Sequence, residues 1–262
     1  MKSLFDNTAY RVSKLVTKAY STSFSLGIGM LGKDIRKDVF AIYGFVRFAD
    51  EIVDTFHEYD KENLLTQFEA STYQAIELGI SLNPILHAFQ ETVNKYQIDH
   101  QLIDQFLHSM KMDLAPREYS EESYKEYILG SAEVVGLMCL KIFCKGNEEL
   151  YAHLKPGAMH LGSAFQKVNF LRDIRADQEE LGRVYFPNWS SNSFDENTKR
   201  AIEEDILQDF KKARLAIRGL PKESKFGVYS AYVYYKALFM KIQRLRPNSL
   251  FDRRVRISNG SK

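Results

Sequence analysis

Apolar residues in this chain recur three and four positions apart over most of its length. The pattern runs through 36–55, 64–78, 84–97, 101–114, 123–144, 157–180, 198–218 and 227–246, the spacing of one buried face of an α-helix. Alternating runs suited to strands are few, and only 6 prolines occur in 262 residues, so little interrupts long helices. Breakers fall between the periodic segments: Gly32 with Lys33 and Asp34, Asn83-Pro84, Ala115-Pro116, Lys155-Pro156-Gly157, Phe186-Pro187 and Leu220-Pro221. Asp34 is placed to cap the helix after it. Ser120, with Ser123 as the alternative, is placed to cap the helix over 123–144. No internal repeat, low-complexity segment or long linker divides the chain, so the pattern predicts a single all-α domain of roughly eight to ten helices.

Composition narrows the functions open to such a bundle. Hydrophobic residues make up 45% of the chain, enough for one sizeable core. The 36 basic and 34 acidic residues leave a net charge of +2, which gives no field of the kind nucleic acid requires. Cys139 and Cys144 sit five apart in VVGLMCLKIFC, a poor spacing for a disulfide or a metal pair, and reduced core thiols are expected. The opening MKSLFDNTAY lacks the apolar run of a secretory signal. No stretch approaches eighteen uninterrupted apolar residues, so no spanning helix is expected. The expected location is the cytoplasm, with contact at the inner membrane surface left open.

Two helical faces depart from this ordinary pattern. Gln166, Asn169, Asp173 and Asp177 fall within an arc of about 80°, as do Tyr43, Arg47, Asp50 and Asp54 within about 60°. Carboxylates one turn apart repel by a few tenths of a kcal/mol, whereas divalent cations reverse the sign, because Mg²⁺ takes hard oxygen ligands. Spacing alone proves little, since the chain holds four Asp-x-x-x-Asp pairs. Asp34/Asp38 opens a helix, where the helix dipole explains it. Asp205/Asp209 lies among Glu204 and Lys212 on what reads as a solvated face. Asp50/Asp54 and Asp173/Asp177 differ because apolar residues flank them and an Arg and amides share their faces. Two readings fit these two pairs: metal sites, or buried ion-pair networks with Arg47 and Arg172 as counter-charges.

If the two acidic faces meet at the mouth of a bundle, two or three Mg²⁺ ions would hold a diphosphate. An apolar cavity behind them would take a hydrocarbon diphosphate. The 18 Phe and 15 Tyr supply a lining, and Gly130, Ala132 and Gly136 in YILGSAEVVGLM either leave room for a chain or serve close helix packing. Such a site needs no Ser or Cys nucleophile: metal charge stabilises the leaving diphosphate, and a dry aromatic cavity protects a carbocation. There is no Gly-rich phosphate loop, since Gly27-Ile28-Gly29 lacks the context, and there is no zinc motif.

At these residues the chain resembles the squalene/phytoene synthase family, the head-to-head trans-isoprenyl diphosphate synthases. The resemblance is carried in order by YSTSFSLGIGML, FVRFADEIVD, YILGSAEVVG and FQKVNFLRDIRADQEELGRVYFP. It implies an isoprenoid synthase bundle with a central cavity, and Mg²⁺-dependent condensation of two identical prenyl diphosphates through a cyclopropylcarbinyl diphosphate. It implies metal ligands Asp50, Asp54, Asn169, Asp173 and Asp177, with Mn²⁺ as an alternative ion and no NADPH. Arg47 and Arg172 would contact diphosphate, and Tyr43 and Gln166 would line the reaction zone. Ser23 and Phe24 match a segment near the substrate diphosphate. Tyr127, Ala132, Val135 and Gly136 match the cavity-lining helix.

Two positions depart from the family pattern. Asp50-Glu51 stands where Asp-Asp is frequent and looks like the phytoene synthase branch. Glu133 stands where Gly is common, and would narrow or polarise the cavity. With LGRVYFP, the Asp50-Glu51 variant suggests two geranylgeranyl diphosphates giving 15-cis-phytoene, with dehydrosqualene from two farnesyl diphosphates as the runner-up. A non-catalytic assembly protein of the same fold is the reading from another class, and intact acidic motifs speak against it. The expected partners are prenyl diphosphate, a carotenoid desaturase receiving product, and a membrane surface; a monomer is expected. The basic tail RLRPNSLFDRRVRISNGSK reads first as a solvated terminus, with closure over diphosphate or membrane attraction through Arg253, Arg254 and Arg256 as alternatives. The histidines, His57 and His87 included, are not spaced as ligands.

Overall fold

The computed structural model describes residues 1–115, 118–187, 194–252 and 255. Among the described residues eleven α-helices run in order: α1 (Lys2–Tyr20), α2 (Thr22–Gly29), α3 (Lys33–Asp54), α4 (Lys61–Leu78), α5 (Pro84–Tyr96), α6 (His100–Met112), α7 (Glu121–Ile128), α8 (Val134–Cys144), α9 (Glu148–Glu179), α10 (Glu196–Gly219) and α11 (Lys222–Gln243). A π-helical turn, Leu129–Glu133, joins α7 to α8 without a break, and a 3₁₀ turn follows at Pro247–Leu250. Among the described residues no strand forms; Glu118 and Val184 make one isolated bridge. The all-α expectation holds. The eight periodic segments match α3 to α11 within a few residues, α7 and α8 forming one of them, except that α9 begins well before 157. Helices α1 and α2 carried no periodic signal that identified them.

Side-chain chemistry sets the starts of α2, α4, α5, α6, α7, α9 and α10, whereas α1, α3 and α11 begin without a side-chain cap. Asn83, Asp99, Asn147 and Asp195 each accept a hydrogen bond from a backbone N–H of the turn they open. Ser120 and Ser123 cap α7 reciprocally: the Ser123 N–H donates to Ser120 Oγ at 3.2 Å, and the Ser120 N–H to Ser123 Oγ at 2.9 Å. Asp34 is not a cap. Gly32 takes that position, and Asp34 lies inside the first turn of α3.

Lys155-Pro156-Gly157 does not end a helix either, because α9 runs straight through it. Proline deprives only the Ala152 carbonyl of its helical donor, and Ala152 is exposed and free to meet water. Gly157 serves the crossing of α9 with α10: a Cβ there would lie 2.0 Å from Ala216 Cβ.

One apolar core extends from Ile28 in α2 to Val255. At its centre Phe45 of α3 stacks on Phe89 of α5 with ring centroids 3.8 Å apart, and also meets Phe68 and Phe106. The continuous helix Glu121–Cys144 is long and apolar enough to cross a membrane, contrary to the sequence expectation, but half of its apolar window is buried against the other helices. Cys139 and Cys144 are free thiols.

The Asp34/Asp38 pair, read as a helix start, and the Asp205/Asp209 pair, read as a solvated face, each contain a buried carboxylate. Asp38 is fully buried, and accepts from Lys95 Nζ at 2.9 Å and from Tyr96 Oη at 2.8 Å. Asp209 is 5% exposed and binds Lys167 Nζ at 2.8 Å, Ser163 Oγ at 2.9 Å and His160 Nδ1 at 2.8 Å. Each fastens one helix to another, α3 to α5 and α9 to α10, and the sequence could not reveal this because the cations come from distant helices. Phe45→Ala is expected to cost about 3–5 kcal/mol through the cavity it leaves, read as a lower urea midpoint with an unchanged slope.

Candidate functional site

Helices α3 and α9 bring both acidic faces to one pole of the bundle. Tyr43, Arg47 and Asp50 on successive turns of α3, and Gln166 and Asn169 on α9, line the same cavity of about 370 Å³. Phe24, Tyr127, Ala132, Val135 and Gly136 line it as well. Ser23 does not; its hydroxyl lies 3.3 Å from that of Ser21 at the start of α2. Asp54, Arg172, Asp173 and Asp177 also lie outside the lining, within two or three turns of Asp50 and Asn169 on the same two helices.

Both acidic faces occupy the C-terminal ends of their helices, and neither last turn carries a basic residue. The helix dipole is negative there, so it opposes the carboxylates of the last turns, Asp54 and Asp177. The protein answers with arginines. Arg47 Nη1 donates to Asp50 at 2.6 Å, and its Nε and Nη2 grip Glu51. Arg172 is paired with its neighbour Asp173 through Nε at 3.0 Å. These are the counter-charges expected of an ion-pair network, and Glu51 at the departure from the family pattern is the carboxylate that takes most of the Arg47 fork.

The pairing is incomplete. A third of the Asp50 side chain stays accessible, yet the desolvating surroundings, with Asp54 next in effect, push its carboxyl up to about 7. Burial first, and then Asp173, push Asp177 up to about 8. Asn169 Oδ1 is buried with no hydrogen-bond partner, a state that costs about 1–3 kcal/mol unless something else meets the oxygen. An all-oxygen donor set with strained carboxylates and an orphaned amide oxygen fits a hard divalent cation such as Mg²⁺.

The residue that joins the two faces was not singled out from the sequence. Arg183 is 4% exposed. Its Nη1 donates to Asp54 at 2.7 Å, its Nη2 donates to the Asp113 carbonyl at 2.7 Å, and its backbone N–H donates to the Asp177 carbonyl at 2.8 Å. Asp113, just past α6, is also buried; Tyr127 Oη donates to it at 2.6 Å, and burial raises its carboxyl to about 7 despite Arg183. The signal was available in LGRVYFP, an arginine inside an otherwise apolar exit from α9, but only spatial neighbours give it a role.

The lining helix owes its shape to the π turn. Gly130 faces α6, where a Cβ would come within 2.4 Å of the Gln105 carbonyl; Ala132 and Gly136 face the cavity. Both readings of the small residues therefore hold, at different positions. Glu133 is absent from the lining, contrary to expectation. It lies where the π turn crosses Gly162 of α9, and burial, then Asp209, raise its carboxyl to about 7 while Lys167 opposes them. Aromatic rings close the polar end: Phe24 lies 5.7 Å from Tyr43 and 5.8 Å from Tyr235, and Phe165 stacks on Tyr235 at 3.9 Å.

A family model described as squalene/phytoene synthase matches residues 17–261. The chain belongs to that family. Its members join prenyl diphosphates head to head, which makes this chain a prenyltransferase by family. A 4,4'-diapophytoene synthase of Staphylococcus haemolyticus is 27% identical over 80% of this chain and 72% of its own. A 15-cis-phytoene synthase of Synechocystis is 26% identical over 97% of this chain and 82% of its own. Among solved structures, a dehydrosqualene synthase in complex with ligand superposes with a TM-score of 0.83 at 20% identity, covering 97% of this chain and 93% of that one. At that identity the likeness is one of fold.

Replacing Arg183 with Met is expected to destabilise the protein by about 3–5 kcal/mol, because the buried Asp113 is left without its cation. Adding Asp113→Asn to that variant should return part of the loss. Chemical denaturation of the two variants checks this, and equal losses in both would contradict it.

Proposed function

We propose that the protein condenses two geranylgeranyl diphosphates into 15-cis-phytoene, through a cyclopropylcarbinyl diphosphate, as a step of carotenoid biosynthesis. The observation that carries the reading is the buried, unpartnered Asn169 Oδ1 beside under-neutralised carboxylates at the polar end of an apolar cavity. Asp50, Asp54, Asn169, Asp173 and Asp177 are the residues that would hold Mg²⁺, or Mn²⁺ in its place. When bound there, the metal supplies the positive charge that makes diphosphate a leaving group.

The chain's own residues supply the rest. Arg47 and Arg172 orient diphosphate oxygens by their planar forks. Tyr43 and Gln166 face the reacting carbons. Burial holds the Tyr43 hydroxyl protonated, with its pKa raised to about 12, so it presents a neutral ring and a donor rather than a phenolate that a carbocation would alkylate. The rings of Phe24, Tyr43, Phe165 and Tyr235 shield positive charge by their π faces and exclude water that would quench it. Ser23 acts near the diphosphate from the start of α2.

The preference for twenty-carbon chains rests on Asp50-Glu51 and LGRVYFP, which look like the phytoene synthase branch, with Ala132, Ala158, Ala213 and Ala231 as small side chains in the cavity lining. Dehydrosqualene from two farnesyl diphosphates is the second reading, favoured by the name of the Staphylococcus relative and by Phe143 and Leu154 in the lining. Purified protein with Mg²⁺ is to be given each diphosphate separately and the hydrocarbon identified by mass spectrometry. Phytoene from the geranylgeranyl reaction is expected; dehydrosqualene from the farnesyl reaction alone would select the second reading. Asp50→Asn with Asp173→Asn should lower turnover by at least about 10²–10³-fold with unchanged circular dichroism.

A further inference from the structure

Helix α11 is apolar on two sides. Its inner side buries Gly227, Tyr232, Tyr235, Leu238, Phe239 and Ile242. On its outer side Phe226 is 63% exposed, Tyr229 44%, Val233 47% and Met240 46%. These four positions fall within an arc of about 60° at 100° per residue, so they form one line along the helix, and Lys222 and Arg244 lie on that line at its two ends. A helix apolar all round belongs in a large core or against lipid, yet here one side meets solvent. Leu26 adds a further exposed apolar side chain on α2, the helix that crosses α11 so closely that a Cβ at Gly27 would lie 3.5 Å from the Gly227 carbonyl.

Charge selects the occupant of this face. From 222 to 244 the sequence holds Lys222, Lys225, Lys236, Lys241 and Arg244 against the single acid Glu223. An anionic lipid surface complements such a set, the apolar line entering the headgroup boundary while long basic side chains reach the phosphates. Tyrosine suits that depth, with an apolar ring and a wet hydroxyl. A second copy of the chain does not suit it, because a two-fold interface sets a patch against itself and would bring the two basic sets together.

The position of the face gives it a use. Gly227, Val228 and Ala231 of the same helix line the cavity, so α11 alone separates the cavity from the outer apolar line. We infer that the outer face of α11, with Leu26 of α2, docks the protein on an anionic lipid bilayer, holding the cavity wall against the phase in which prenyl chains and their hydrocarbon products dissolve. The use rests on the proposed reaction; the docking itself does not.

Flotation with vesicles of phosphatidylcholine and phosphatidylglycerol tests the surface without substrate. Wild-type protein is expected to float with anionic vesicles, less so at high salt, where the charges are screened, and less so with phosphatidylcholine alone. Phe226→Ser with Val233→Ser should lower the bound-to-free ratio by at least about tenfold, as loss of two buried apolar side chains requires. The same variant should keep the wild-type melting temperature and the wild-type turnover of detergent-dispersed substrate. Wild-type protein that fails to float, a double variant that binds as wild type does, or binding lost only when Arg253, Arg254 and Arg256 are neutralised would overturn the assignment. So would a wild-type dimer that the double variant converts to monomer. Vesicle binding without turnover of either diphosphate would strike the proposed reaction and leave the docking surface standing.

Discussion

Carboxylate repulsion at the C-terminal ends of α3 and α9 is the constraint around which the polar half of this molecule is arranged. Asp50, Asp54, Asp173 and Asp177 converge where both helix dipoles already point their negative ends, and buried Asp113 adds a fifth carboxylate. Three arginines hold this assembly together. Arg47 and Arg172 each serve one face, and Arg183 ties Asp54, Asp113 and the end of α9 into one unit. Three cations for this group still leave Asp50, Asp113 and Asp177 with raised pKa values and the Asn169 oxygen unmet. Buried polar groups usually find a partner, and two of the unsatisfied groups here, Asp50 and Asn169, line the cavity.

Much of the frame was legible because burial on one helix face leaves a periodic trace. That trace gave α3 to α11 and placed the two functional faces before any neighbour was known. It failed where periodicity is absent. Helix α2, TSFSLGIG, is apolar on nearly every side and too short to show a period, and α1 is largely exposed. It failed again at Pro156, since a proline stops a helix only when the freed carbonyl has no other recourse. The π turn at Leu129–Glu133 inserts a residue that no regular wheel anticipates, and Glu133 within it lies outside the cavity lining, against α9.

The acidic pairs mark the limit of motif reading more sharply. Four pairs share one spacing, and all four contain a carboxylate that is buried or strongly perturbed. Asp38 and Asp209 meet lysines brought by other helices and tie those helices together, with Asp38 Oδ1 left buried and unpartnered. Asp50 and Asp177 remain under-neutralised. Nothing in the local sequence separates these outcomes except the company on the helix face, an arginine and two amides, and that company did point to the right pair of helices. Arg183 had no such company in sequence, because its partners lie at positions 54, 113 and 177.

On the proposed function, the open side of the α3–α9 cluster takes divalent cations joined to a diphosphate. Isothermal titration of Mg²⁺ into the protein, with and without inorganic diphosphate, tests it most directly, and Asn169→Ala is the informative variant because it removes the orphaned oxygen without touching a charge. Diphosphate should tighten Mg²⁺ binding in the wild type, and Asn169→Ala should weaken it by about 10–100-fold, the range seen when support for a metal site is removed. Mg²⁺ binding that is absent with diphosphate present, or unchanged in Asn169→Ala, would contradict the account.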